Sequence, residues 1–128
     1  MYIRFVIHHI DSDSGKRQGL FQALGELERR GDLLGYEQTE YERIYLWFKR
    51  NLKVPHSFAR STRTHAKKVA ISWFKAEASE HIANMRVFAQ ILREHDIEVD
   101  ELRSERPGYI VYEDEFQVAA EPFKDTDT

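Results

Sequence analysis

The chain has 128 residues, 41% of them hydrophobic, with 8 Phe, 6 Tyr, 2 Trp and no Cys, at a formal net charge of −3. That length and aromatic content suit one globular domain with a substantial core and do not fit the composition of disordered chains. The lack of Cys excludes a disulfide framework, Cys-ligated zinc, iron–sulfur clusters and thiol catalysis.

Along the chain, the opening "YIRFVIHH" (Tyr2 to His9) alternates Ile3, Phe5 and Ile7 with Tyr2, Arg4, Val6 and His8, which predicts a strand. Arg4 and the two His interrupt what a secretory signal would keep apolar, and no run approaches the roughly 18 apolar residues of a membrane span. A soluble, cytoplasmic protein without membrane association is expected. "DSDSG" follows as a turn, and a helix is predicted over about 16–30, with Leu20, Leu24 and Leu27 on one face and Gly31 as a left-handed cap.

A second helix is predicted over about 37–51, opened by Thr39 and Glu42 as a capping box, with Tyr41, Ile44, Tyr45, Phe48 and Leu52 on its apolar stripe. Leu46 and Trp47 fall off that stripe, and Pro55 closes the region. "VAISWFK" (Val69 to Lys75) suits either a strand or a helix start by period; its β-branching and shortness favour a buried strand. A third helix is predicted over about 77–95, with Ile82, Met85, Phe88, Ala89 and Leu92 on one arc. A meander should follow: "IEVDELR", a Pro107–Gly108 turn of type II, "YIVY", an acidic turn at Glu113–Glu115, and "FQVAA". The resulting class is α+β: a two-layer sandwich of about three helices on one face of a mostly antiparallel sheet of four to five strands. Residues 1–121 are expected to form one domain, and 122–128 a flexible C-terminal tail.

The segments "AISWFK", "EHI" and "RPGYIVYEDEFQVAAEPF" resemble a family of small bacterial proteins with no assigned activity. The resemblance covers most of the second half, implies a single soluble domain, and implies no chemistry.

No nucleophile elbow, phosphate loop, dinucleotide fingerprint or zinc-protease helix is present, and no cofactor is implied. "DSDSG" begins like a calcium loop, but position 12 would be Gln22 rather than a bidentate Glu, and adjacent His8 and His9 point to opposite faces of a strand. No metal site is expected. The candidates for proton transfer are His81, which falls within an apolar helical arc, Lys75, and the carboxylates Glu113 and Glu115.

Charge gives the stronger clue. Residues 1–42 carry −3, residues 43–76 hold nine basic residues and no acidic one, and residues 77–128 carry −9. Lys53, Arg60, Arg63, His65, Lys67 and Lys68, interleaved with hydroxyls in a loop over about 53–68, form a candidate anion-binding segment. The leading expectation is a non-enzymatic interaction domain whose basic loop contacts an acidic protein or anionic ligand, or an acidic surface on a second copy of the chain. No nucleic-acid motif accompanies the basic run, and the acidic overall balance argues against nucleic acid. The alternatives are an enzyme acting on an anionic small molecule through His81 or the Glu113–Glu115 turn, and a domain whose acidic last third binds a basic protein.

Overall fold

In the computed structural model, residues 1–12, 15–54 and 70–128 are described. Their elements run β1 (Tyr2–Ile10), β2 (Arg17–Gly19), α1 (Leu20–Arg30), α2 (Gly35–Asn51), β3 (Ile71–Lys75), α3 (Ser79–Glu94), β4 (Val99–Ser104), β5 (Tyr109–Glu113) and β6 (Gln117–Glu121). The α+β class is as expected, with six strands among the described residues and every pairing antiparallel.

β1 organises the sheet. One edge pairs with β4 along six residues, from Tyr2 opposite Ser104 to Ile7 opposite Val99. Two short strands share its other edge: β3 pairs at Tyr2–Lys75 and Ile3–Phe74, and β2 pairs at Val6–Gly19 and Ile10–Arg17. β6 and then β5 extend the sheet beyond β3. The three-residue β2 corrects the expected helix start at Lys16. Tertiary pairing with β1 takes Arg17–Gly19 into the sheet, and α1 begins only at Leu20.

Side chains alternate across β1, so Ile3, Phe5 and Ile7 all enter one face. There they join Leu20, Leu24 and Leu27 of α1, Tyr41, Ile44 and Phe48 of α2, and Met85, Phe88 and Leu92 of α3 in the main core. Each fully buried large side chain in such a layer contributes roughly 1.5–3 kcal/mol of transfer free energy. A second, smaller cluster lies on the opposite face: Ile71, Trp73 and Val118, with Tyr2, Leu102 and Ile110 packed against it.

The helix ends follow local chemistry. Gly31 adopts φ 72° and closes α1, its N–H bonding back to the Glu28 and Leu27 carbonyls, in agreement with the sequence. For α2 the expected box at Thr39 and Glu42 is replaced. Thr39 lies inside the helix and its hydroxyl donates to the Gly35 carbonyl, while the Glu37 carboxylate accepts the Leu34 N–H at 2.8 Å. α3 is fastened to β4 by Arg86, whose Nε and Nη2 reach the two Glu101 oxygens at 2.9 and 3.3 Å. Arg103 reaches the same carboxylate at 2.7 Å, and these guanidiniums, Arg86 first, hold the Glu101 carboxyl below its usual range. After β6 the chain crosses toward β2, where Asp127 pairs with Arg17, while Arg106 lies over the Phe123 ring. Among the described residues no helix is long and apolar enough to cross a membrane.

Candidate functional site

The candidates for proton transfer converge only in part. His81, in the first turn of α3, is 3% exposed and boxed by rings: Phe116 stacks on it at 4.4 Å, and Trp47 meets it edge-on at 4.7 Å. Its Nε2–H donates to the Asn51 carbonyl at 2.8 Å, satisfying an orphan acceptor at the end of α2. Trp47, off the helical stripe in sequence, thus covers a second neighbour. His81 joins α2, α3 and the β5–β6 turn. We predict that His81→Ala lowers stability by about 1–3 kcal/mol, through lost ring packing and an unpaired Asn51 carbonyl. Urea unfolding measures this, and an unchanged midpoint at unchanged slope would refute the structural role.

Lys75 and Glu113 do meet: the ammonium lies 2.7 Å from the Glu113 carboxylate, and that hydrogen bond raises the Lys75 pKa. The pair bridges β3 to the end of β5. Glu115 is exposed. Between these two acids, Asp114 is the residue that builds the turn. One of its oxygens accepts the Phe116 and Gln117 N–H groups at 2.9 and 3.1 Å, and the other accepts the Tyr112 hydroxyl at 2.8 Å and the Gln117 amide at 3.1 Å. Burial alone would push its carboxyl pKa up, but these donors outweigh it and hold the group below its usual value. The "EDE" run is therefore a turn closed by its middle residue and flanked by one ion pair, and the sequence did not single Asp114 out.

Of the anion-binding candidates, Arg60, Arg63, His65, Lys67 and Lys68 lie outside the described residues. Lys53 is exposed, and its carbonyl accepts the Gln117 amide at 2.6 Å. It stands with Lys49 and Arg50 on an open groove of about 810 Å³ between the end of α2 and the β5–β6 turn, walled by Leu52, Tyr112 and Phe116. Lys49 lies 5.3 Å from the Tyr45 ring centroid. No ion pair among the described residues engages Lys49, Arg50 or Lys53. Two of these cations sit in the last turn of α2, where they also complement the helix dipole. Glu115 is the groove's other charged wall, beside an Asp114 whose oxygens are already taken.

Gln22, at the position where a calcium loop would carry a bidentate Glu, donates its amide to Asp11 at 3.1 Å. His8 pairs with Asp100 at 2.9 Å on β4, and no group of three metal-ligating side chains occurs among the described residues. Fold and groove define an antiparallel α+β sandwich with a cationic rim at the end of its second helix. The chain matches no protein-family model, no curated protein and no solved structure.

Proposed function

We propose that this protein is a non-enzymatic interaction domain that binds an anionic partner, an acidic protein surface or a polyanion, through the basic band beginning at the end of α2. The observation carrying this reading is the run 43–76, nine basic residues without an acid: of its five described members Arg43 and Lys75 pair with Glu40 and Glu113, while Lys49, Arg50 and Lys53 line an open groove with no carboxylate bound to them. Charge without a carboxylate partner among the described residues is available to an external one, and such fields steer encounter as well as binding. The acidic last third supports the opposite polarity less well, because many of its carboxylates are already engaged: Asp100 with His8 and Arg17, Glu101 with Arg86 and Arg103, Glu113 with Lys75. The enzyme reading gains little from a His81 ring that is walled in by aromatics and spends its Nε2–H on a backbone carbonyl.

Retention on immobilised heparin and on polyglutamate across a salt series tests the proposal, with wild type beside Lys49→Gln/Arg50→Gln/Lys53→Gln and Arg60→Gln/Arg63→Gln/Lys67→Gln/Lys68→Gln. Each set should weaken binding and flatten the dependence of log K on log salt, by roughly 0.7–0.9 for each anionic group of the polymer that is no longer neutralised. The melting temperature of the Lys49/Arg50/Lys53 variant should hardly move, since exposed charges contribute about 0–1 kcal/mol each. Retention that is the same for all three proteins would overturn the proposal.

A further inference from the structure

β1 and β3 pair at only two positions, Tyr2–Lys75 and Ile3–Phe74. Beyond them β1 turns to β2, with Val6 opposite Gly19. Continued in the same register, the next pair would be Arg4 and Trp73, on the sheet face opposite the helices. The strands part at this point instead. A cavity of about 280 Å³ opens at the split, lined by Arg4 and Trp73 together with Phe5, Phe21, Phe74 and Met85.

Two donors at this split are buried without any hydrogen-bond partner: Arg4 Nε and the indole Nε1 of Trp73, a residue only 2% exposed. Arg4 spends Nη2 on a neutral acceptor, the Arg17 carbonyl at 2.7 Å, and no carboxylate among the described residues forms an ion pair with it. The neighbouring Arg17 differs, having both Asp100 and Asp127. Burial first, and the charge of Arg17 second, pull the Arg4 pKa down to about 10, which leaves the guanidinium charged at neutral pH. A buried donor without an acceptor costs about 1–3 kcal/mol, and a buried charge without a counter-charge costs more. Native interiors rarely keep either, so two together at one cavity mark a place where an acceptor is missing.

We infer that the split between β1 and β3 is a binding site for a small monocarboxylate with an apolar body. The carboxylate accepts from Arg4 Nε–H and Trp73 Nε1–H, and the hydrocarbon lies against Phe5, Phe21, Phe74 and Met85. Chemistry and size both set this class. The wall is mostly apolar, so a bare inorganic anion would leave it unfilled, and the volume lies just under the roughly 300–1,000 Å³ usual for small-molecule sites. A charge-assisted hydrogen bond from a guanidinium, with a neutral indole N–H as second donor, suits a carboxylate better than a neutral carbonyl. Lys53 lines both this cavity and the groove, whereas Lys49 and Arg50 line the groove alone and the donors Arg4 and Trp73 line the cavity alone, so substitutions at Arg4 and Trp73 test this site apart from polyanion binding.

Calorimetric titration and thermal shift with octanoate, octan-1-ol and inorganic phosphate test it, on wild type, Arg4→Met and Trp73→Phe. Octanoate should bind one per chain and raise the melting temperature, with octan-1-ol and phosphate at least about tenfold weaker. Each substitution should weaken octanoate about tenfold while changing octan-1-ol little, as expected for one hydrogen bond to a charged group. Trp73→Phe keeps an aromatic ring in place and decides the matter if Arg4→Met fails to fold. Absent or non-saturable octanoate binding, equal affinity for octan-1-ol, or undiminished octanoate affinity in Trp73→Phe would overturn the inference.

Discussion

Gly108→Ala should lower the free energy of unfolding by about 3 kcal/mol or more, a larger effect than any other alanine substitution at a glycine of the described residues. Gly108 follows the buried Pro107 and has φ 145°, a conformation that side-chain-bearing residues rarely adopt. A Cβ built there would stand 2.1 Å from the Glu121 carbonyl oxygen, 2.6 Å from its carbon and 2.9 Å from the Pro122 Cα. All three obstacles are backbone, so no rotamer change relieves them. Relief would require moving the start of β5 away from the end of β6, where Tyr109 pairs with Glu121. Gly35 supplies the control. It has ordinary φ, nothing within 4 Å of a built Cβ, and a place in the first turn of α2, so Gly35→Ala should be neutral or stabilising by up to about 1 kcal/mol. Chemical unfolding of both variants measures the contrast, and a Gly108→Ala midpoint within error of wild type would show that the β5–β6 edge yields easily.

That Gly108 matters was legible in "RPGY", but the reason differs from the one the sequence suggests. A type II turn asks for φ near about +80° at this position. The observed 145° serves close backbone approach between β5 and β6 instead, which only the pairing of the two strands reveals. The same division runs through the molecule. Period 2 in Ile3, Phe5 and Ile7 and period 3.6 in Leu20, Leu24 and Leu27 reported local burial faithfully, because each residue meets the same core. Arg17–Gly19 carries no such pattern, since three residues are too few to show a period and only β1 makes them a strand. His81 stood out because a polar ring on an apolar arc is visible in one helix. Arg4 and Trp73 did not, because they come to one cavity only where β1 and β3 pair and then part, 69 positions apart in sequence. Glu37 was hidden for a further reason. An acid in the first turn of a helix ordinarily faces water and the helix dipole, whereas this one is 1% exposed.

Glu37 carries the second large effect, and its sign with pH is fixed. One carboxylate oxygen accepts the Leu34 N–H and, at 2.8 Å, the His95 ring Nε2–H; the other oxygen is buried without a partner. Burial alone would push this carboxyl pKa up from 4.5. The hydrogen bonds from Leu34 and His95 reverse that, and the group ends below 4.5. A carboxyl whose pKa is lower folded than unfolded binds fewer protons in the native state. Its contribution is therefore complete above about pH 5 and is lost as pH falls below 4.5 toward the folded value. Glu37→Ala should cost about 3 kcal/mol at pH 7, since it strips the cap from Leu34, leaves the His95 ring without its acceptor and empties a filled site. Glu37→Gln keeps the volume and an acceptor for Leu34, so it should cost about 1–2 kcal/mol at pH 7. Its deficit relative to wild type should shrink below about pH 4, where the wild-type side chain is itself becoming neutral. Unfolding free energies of wild type and Glu37→Gln between pH 7 and about pH 2.5 make the comparison. A deficit that stays constant or grows toward low pH would mean that the ionised Glu37 does not stabilise the join between α2 and the end of α3.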